Sequence, residues 1–68
     1  MRLNDRQQVA LSLLNGRKLT RQQVGNWIGQ QSVSQTLLAL VRRGLVTVDE
    51  IGGREVYFAT PKGSRKAA

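Results

Sequence analysis

The stretch that decides the fold is SVSQTLLALVRRGLVTVDEIGGREVYFATPKG, residues 32–63. Its first part places four apolar side chains at the spacing of one helix face: Val33, Leu37, Leu40 and Val41. After Gly44 the apolar period changes to two, which indicates strands. Gly52-Gly53 is typical of a two-residue hairpin turn. The stretch therefore predicts a helix over residues 32–43 followed by an antiparallel hairpin.

The turn also predicts how the two strands pair. With Gly52-Gly53 as the turn, Val48 faces Tyr57, and four side chains share the core face: Val46, Val48, Tyr57 and Ala59. Three apolar side chains then lie on the other face, and we interpret them as a surface for self-association: Ile51, Val56 and Phe58. The alternative is a β-bulge that returns Phe58 to the core.

A first helix is predicted over residues 5–15, upstream of the deciding stretch. Asn4 and Gln7 have the spacing of a capping box, and Asn15-Gly16 is a stop signal. Its apolar stripe is expected to consist of four residues, with Leu11 at the edge: Val9, Ala10, Leu13 and Leu14.

A second, shorter helix is predicted between the first helix and the deciding stretch. Thr20 and Gln23 form another capping box, and Gly29 ends the helix. Its apolar face is expected to hold Val24, Trp27 and Ile28. Gly25 inside the helix is costly relative to Ala, so we expect it to permit close packing.

The charge distribution predicts a polyanionic partner. Eleven Lys and Arg residues stand against four acids, a net charge of +7 in 68 residues. Between Arg6 and Val48 there is no acid at all, and Gln stands where helices usually carry Glu. Such a balance favours nucleic acid over an anionic membrane, which would need a basic helix with bulky apolar anchors. A basic but merely solvated surface is the other interpretation.

The composition argues against an enzyme and against a metal or cofactor site. The chain has no Cys and no His, so the commonest general base, nucleophilic thiol and metal ligands are missing. Three of the four carboxylates lie near one turn: Asp49, Glu50 and Glu55. No apolar run is long enough for a membrane span, and we find no signal-peptide pattern, so we expect a small cytoplasmic domain.

The order of helix, helix, helix and hairpin resembles the winged helix-turn-helix family of bacterial and phage DNA-binding proteins. The matching pieces are LTRQQVGNWIG (residues 19–29), Ser32-Val33-Ser34-Gln35, Arg42-Arg43, Gly44-Leu45-Val46 and Thr60-Pro61-Lys62-Gly63. The resemblance implies a mostly α fold with a small β-hairpin, that is, three helices plus a two-stranded wing. It also implies a short strand at Leu19. We expect one domain over residues 1–63 and a basic, flexible tail over 64–68.

Resemblance and charge together predict sequence-specific binding of double-stranded DNA by a small transcriptional or recombination regulator at the nucleoid. The helix over residues 32–43 would enter the major groove, and five residues are expected to read bases: Gln31, Ser32, Ser34, Gln35 and Thr36. Five cations are expected to contact DNA phosphates or the flanking groove: Arg17, Lys18, Arg21, Arg43 and Arg54. Gln35 stands where many relatives hold Arg, which favours recognition of adenine.

Two other functions remain open from the sequence. A winged-helix fold can serve as a protein–protein interaction module, with the self-association residues as its contact surface. RNA binding is the third hypothesis, although single-strand recognition usually needs more aromatic side chains than this chain has. A homodimer on adjacent DNA half-sites is compatible with the pattern, and nothing in it indicates a small-molecule effector.

Overall fold

A computed structural model describes residues 2–67, which form four helices and one antiparallel hairpin. The elements in chain order are α1 (Asp5–Leu14), α2 (Arg21–Ile28), α3 (Val33–Arg42), β1 (Val46–Ile51), β2 (Arg54–Ala59) and α4 (Pro61–Ala67). The prediction of a mostly helical domain with a small hairpin is confirmed. The fourth helix was not predicted.

Both predicted capping boxes are present. Asn4 Oδ1 accepts the Gln7 backbone N–H at 2.8 Å, and the Gln7 side chain accepts the Asn4 backbone N–H at 3.1 Å. Thr20 and Gln23 make the equivalent pair at the start of α2, at 3.2 and 2.9 Å. Each box satisfies two backbone groups that would otherwise lack partners. These local bonds explain why α1 and α2 begin where the sequence predicts.

The hairpin register is also as predicted. Val48 pairs with Tyr57, and the ladder runs without a bulge from Val46↔Ala59 to Ile51↔Arg54. Gly52 and Gly53 have φ angles of 59° and 79°, so the turn uses the positive-φ conformation that only glycine adopts without strain. The bulge proposed as an alternative for Phe58 is therefore wrong.

Leu19 extends the hairpin by one short strand segment. Its N–H donates to the Tyr57 carbonyl at 3.0 Å, and the Tyr57 N–H donates to the Leu19 carbonyl at 2.7 Å. This pair of bonds ties the link between α1 and α2 to the outer edge of β2. The short strand implied at Leu19 is present as this bridge.

The core lies between α1, α2, α3 and the start of β1. Its buried side chains are Ala10, Leu11, Leu14, Val24, Ile28, Val33, Leu37, Leu40, Leu45 and Val46. Tyr57 and Ala59 of β2 pack against its edge. Burial of these apolar side chains is the main source of stability for a domain of this size.

Three residues predicted for the core are exposed instead. Leu11 is fully buried, so the buried face of α1 is centred on Ala10, Leu11 and Leu14 and turns Val9 outwards. In α2 the four-residue step from Val24 to Ile28 defines the buried face, and Trp27 lies to one side with 70% of its surface exposed. Val48 is exposed because the hairpin extends beyond the helices after Val46.

The carboxyl-terminal segment forms a helix where a tail was predicted. Thr60 Oγ1 accepts the Gly63 N–H at 3.1 Å and donates to the Gly44 carbonyl at 2.6 Å. Pro61 occupies the first helical position, where its missing N–H costs nothing. Gly63 is buried against the Leu45 backbone and Leu11. The prediction of a tail over residues 64–68 was therefore wrong through Ala67, and Ala68 lies outside the described residues.

The Phe58 side chain is partly buried against the link between α1 and α2. The Lys18 ammonium lies 4.9 Å from the centre of the Phe58 ring, and Leu14 and Gly16 line the same depression. Val56 is also partly buried. Of the three residues predicted for self-association, only Ile51 is exposed, whereas Val56 and Phe58 are partly buried.

Candidate nucleic-acid interface

The outward face of α3 is a carboxylate-free stripe. Ser34, Gln35, Leu38 and Arg42 are exposed and recur at the spacing of one helix face, and Gln31 precedes them by one turn. We call these five residues the α3 outer face. It combines a hydroxyl, two amides, one apolar side chain and one cation, and it carries no group that would repel phosphate.

Two of the predicted base-reading residues do not lie on this face. Thr36 is only 7% exposed, because it follows Val33 by three residues and precedes Leu40 by four, and both of these are buried. Ser32 is partly buried at the entry to the helix. The prediction that Thr36 faces outwards was wrong. The exposed face of α3 is centred on Ser34 and Gln35 and excludes Thr36.

Two residues of the outer face were missed in the sequence. Leu38 is 49% exposed in the middle of the stripe, and Arg42 is exposed at its carboxyl-terminal end. Both follow Gln31 and Ser34 at helical spacing, so the signal was available. Leu38 adjoins the buried Leu37 in sequence, and Arg42 in the last turn also suits the negative end of the helix dipole, so neither residue stands out from the pattern alone.

Arg21 belongs to the same surface although it lies on another helix. Its Nη1 donates to Ser34 Oγ at 3.3 Å, which brings the guanidinium from the first turn of α2 onto the α3 outer face. Arg21 and Ser34 are thirteen residues apart in sequence. The predicted phosphate contact and the predicted base reader are therefore brought together by the fold.

A polar cleft of about 870 Å³ separates α2 from the hairpin. Arg21 stands on its helical side and Arg54 on its hairpin side. The remaining lining is Thr20, Gln22, Asn26, Gln30, Glu55 and Tyr57. Two guanidinium groups and several neutral donors make this cleft suitable for a phosphodiester strand, with Glu55 as the single opposing charge in its lining.

Gln30 fixes the connection between α2 and α3. Its amide nitrogen donates to the Gln22 carbonyl and to Asn26 Oδ1, both at 3.0 Å. This folds the side chain over Gly25, where a Cβ would collide with the Gln30 amide. The prediction that Gly25 permits close packing is confirmed, and the packed group is a polar side chain rather than a helix.

The other predicted phosphate contacts are scattered. Arg17 borders a separate groove between α1 and α2, and Lys18 covers Phe58. Arg43 is partly buried, and its carbonyl accepts a bond from Lys62 Nζ at 3.1 Å. The structure therefore brings Arg21 and Arg54 together at one cleft and leaves these three cations elsewhere.

The hairpin carries most of the negative charge of the chain. Glu50 and Glu55 face each other across the ladder, and Asp49 accepts the Glu50 backbone N–H at 2.8 Å. Such a hairpin is unfavourable for phosphate. Even so, no group of three acidic residues within residues 2–67 is arranged to hold a metal ion.

Comparison with family models, with curated proteins and with solved structures finds no match to this chain. None of the helices in the described range is long and apolar enough to cross a membrane.

Proposed function

We propose that this protein binds double-stranded DNA sequence-specifically, as a winged helix-turn-helix regulator acting at the nucleoid in the cytoplasm. The observation that carries the proposal is the carboxylate-free α3 outer face, onto which Ser34 holds the Arg21 guanidinium. A helix that is only solvated normally mixes both signs of charge, whereas this one presents amides, a hydroxyl and cations.

The order of elements supports the winged-helix assignment. A first helix, a one-residue strand at Leu19, two helices and a hairpin follow one another, and Leu19 pairs with β2 rather than with β1. In this arrangement α2 and α3 form the helix-turn-helix, joined by Gly29 and a tight turn in which the Ser32 N–H donates to the Gly29 carbonyl. α3 is then the recognition helix.

The chemistry of the outer face suits the major groove. The Gln35 amide has the donor and acceptor needed for a bidentate contact with adenine, and the Ser34 hydroxyl can meet either kind of base edge. Leu38 offers an apolar contact for a thymine methyl group. These three side chains lie on one face of α3, so we assign them to successive base pairs.

The cations provide affinity without regard to sequence. Arg21 and Arg54 flank the cleft beside α2, where we place one phosphodiester strand, and Arg42 lies at the far end of the recognition face. Arg17, Lys18 and Arg43 add to the positive field at longer range. We do not propose that the short acidic hairpin inserts into a DNA groove.

The direct test is binding to a labelled duplex over a range of salt concentrations, with single-stranded DNA and an RNA stem–loop as competitors. Three phosphate contacts predict a slope of log K against log salt of roughly −2.7, because each contact releases about 0.9 counterion. Duplex DNA should compete best. Absence of duplex binding, or a preference for the RNA loop, would contradict the proposal.

A further inference from the structure

The exposed apolar side chains fall into three groups. Within residues 2–67, five large hydrophobic side chains are exposed: Val9, Trp27, Leu38, Val48 and Ile51. Leu38 belongs to the α3 outer face. The other four divide equally between a groove on the helices and the end of the hairpin, and none of these four side chains takes part in the proposed DNA contact.

The first place is a groove between α1 and α2, called here the α1–α2 groove. It has a volume of about 330 Å³ and is lined by Gln8, Val9, Ser12, Leu13, Arg17 and Trp27. Its floor is mostly apolar, and in the described structure Arg17 is the one charged side chain of its lining. Trp27 is the single Trp of the chain and is largely exposed here.

The second place is the hairpin tip, residues 48–55. Val48 and Ile51 are exposed on its two faces, and three of the four carboxylates of the chain surround them. Glu50 and Glu55 stand directly opposite each other, an arrangement that destabilises a hairpin. A cation supplied from outside would relieve that repulsion.

The two places are complementary in chemistry and do not meet within one chain, since all groove-lining residues come from α1, α2 and the link between them. We propose that the hairpin tip of one copy docks into the α1–α2 groove of a second copy. Val48 or Ile51 then packs on Trp27, and Glu50 approaches Arg17.

Such a contact joins unlike surfaces, so it can repeat head to tail along a row of copies. Four apolar side chains are far fewer than a stable interface of standard size contains, and copies of charge +7 repel each other in solution. On DNA the phosphates neutralise that repulsion. We therefore expect the contact to appear as cooperative binding of neighbouring copies along a duplex. This inference rests on the proposed function.

The experiment compares a duplex that holds one copy with a duplex that holds several. Wild-type protein should bind the longer duplex about 5- to 150-fold more tightly per site, the usual range for coupled sites. Trp27 emission should shift to shorter wavelength on the long duplex only. Absence of binding to the short duplex would count against DNA binding itself. Binding to the short duplex without any gain in affinity per site on the long duplex would count against docking.

Charge reversal separates docking from general electrostatics. Glu50→Arg adds positive charge, so it should strengthen binding to the short duplex while abolishing cooperativity on the long one. Trp27→Gln should abolish cooperativity and leave the short duplex unaffected. The double variant Arg17→Glu, Glu50→Arg keeps the net charge of +7 and restores an opposite-charge pair, so cooperativity should return. Arg65→Glu, on the exposed side of α4, is the control for charge and should retain it.

A second experiment tests docking in the absence of DNA. At millimolar concentration and high salt, NMR signals of Val9, the Trp27 indole and the hairpin tip should move together with concentration in wild-type protein. In Trp27→Gln, which removes the apolar contact that high salt does not screen, the signals of Val9 and the hairpin tip should stay fixed. If the wild-type signals do not move and the long duplex shows no cooperativity, the docking proposal is wrong. Cooperativity that survives both Glu50→Arg and Trp27→Gln would overturn it equally.

Discussion

Arg21 Nη1 lies 3.3 Å from Ser34 Oγ and donates a hydrogen bond to it, so the first residue of α2 is attached to the outward face of α3. One donor of the guanidinium is used in this way, and the planar group keeps further N–H donors for a ligand. The bond also limits the rotamers of Arg21 before any ligand arrives, which lowers the entropy lost on binding.

Replacing Arg21 by Gln should weaken binding to all duplex sequences alike. The slope of log K against log salt should fall by about one unit, because one fewer counterion is released. The measurement is a salt titration of duplex affinity, with Arg65→Gln as the control that removes the same charge from α4. An unchanged slope for Arg21→Gln would place Arg21 off the DNA. A loss confined to one base pair would instead make it a base reader.

Arg42 and Arg43 are neighbours that should behave differently. Arg42 is exposed on the α3 outer face, whereas Arg43 is partly buried at the end of the helix. Arg42→Ala should therefore reduce duplex affinity, and the slope of log K against log salt should fall by about one unit. The free energy of unfolding should change by less than about 0.5 kcal/mol. Arg43→Ala should reduce the slope less. Equal effects of the two variants on the slope would contradict the assigned face.

Gly63→Ala should destabilise the whole domain. Gly63 is buried, and an added Cβ would collide with the Leu45 carbonyl, which is backbone and cannot move aside cheaply. We expect a loss of about 1–3 kcal/mol in the free energy of unfolding, the usual cost of overpacking. Urea denaturation measures it, and Arg65→Ala in the same helix is the control, with an expected change near zero. A tail would tolerate both substitutions.

Phe58→Ser should lower stability without changing the oligomeric state of the free protein. The ring is partly buried and lies under Lys18, so its removal should cost less than the roughly 3–5 kcal/mol of a fully buried Phe. Lys18→Met should cost about 0.5–1 kcal/mol or less, because an exposed cation–π contact is weak. Urea denaturation and sedimentation are the two measurements. A stable Phe58→Ser variant with lost self-association would restore the original interpretation of this face.

Local signals in the sequence were sufficient for much of the fold. The capping boxes at Asn4 and Thr20, and the positive-φ glycines of the turn, act between residues close in sequence, so the element starts and the register followed directly. Thr60-Pro61 is a helix start of the same local kind, but a flexible tail was predicted shortly beyond it.

The errors at Thr36 and Trp27 concern how each helix is rotated in the core. Thr36 and Trp27 each lie at the border of an apolar face, and the partner helices decide which border residue is covered. That choice depends on contacts between distant parts of the chain. The Arg21–Ser34 bond is likewise set by how α2 crosses α3, so periodicity within either helix could not reveal it.

The central claim is that the α3 outer face reads the sequence of double-stranded DNA, and Gln35 is the residue that tests it most directly. The measurement is selection of binding sites from random duplex DNA at about 0.15 M salt, carried out in parallel for wild type and Gln35→Ala. Wild-type protein should enrich one site containing a fixed A·T pair. The variant should lose about 1–3 kcal/mol of discrimination at that pair alone and keep its non-specific affinity. Enrichment of no sequence by the wild type, or an equal fall in specific and non-specific binding in the variant, would contradict the account.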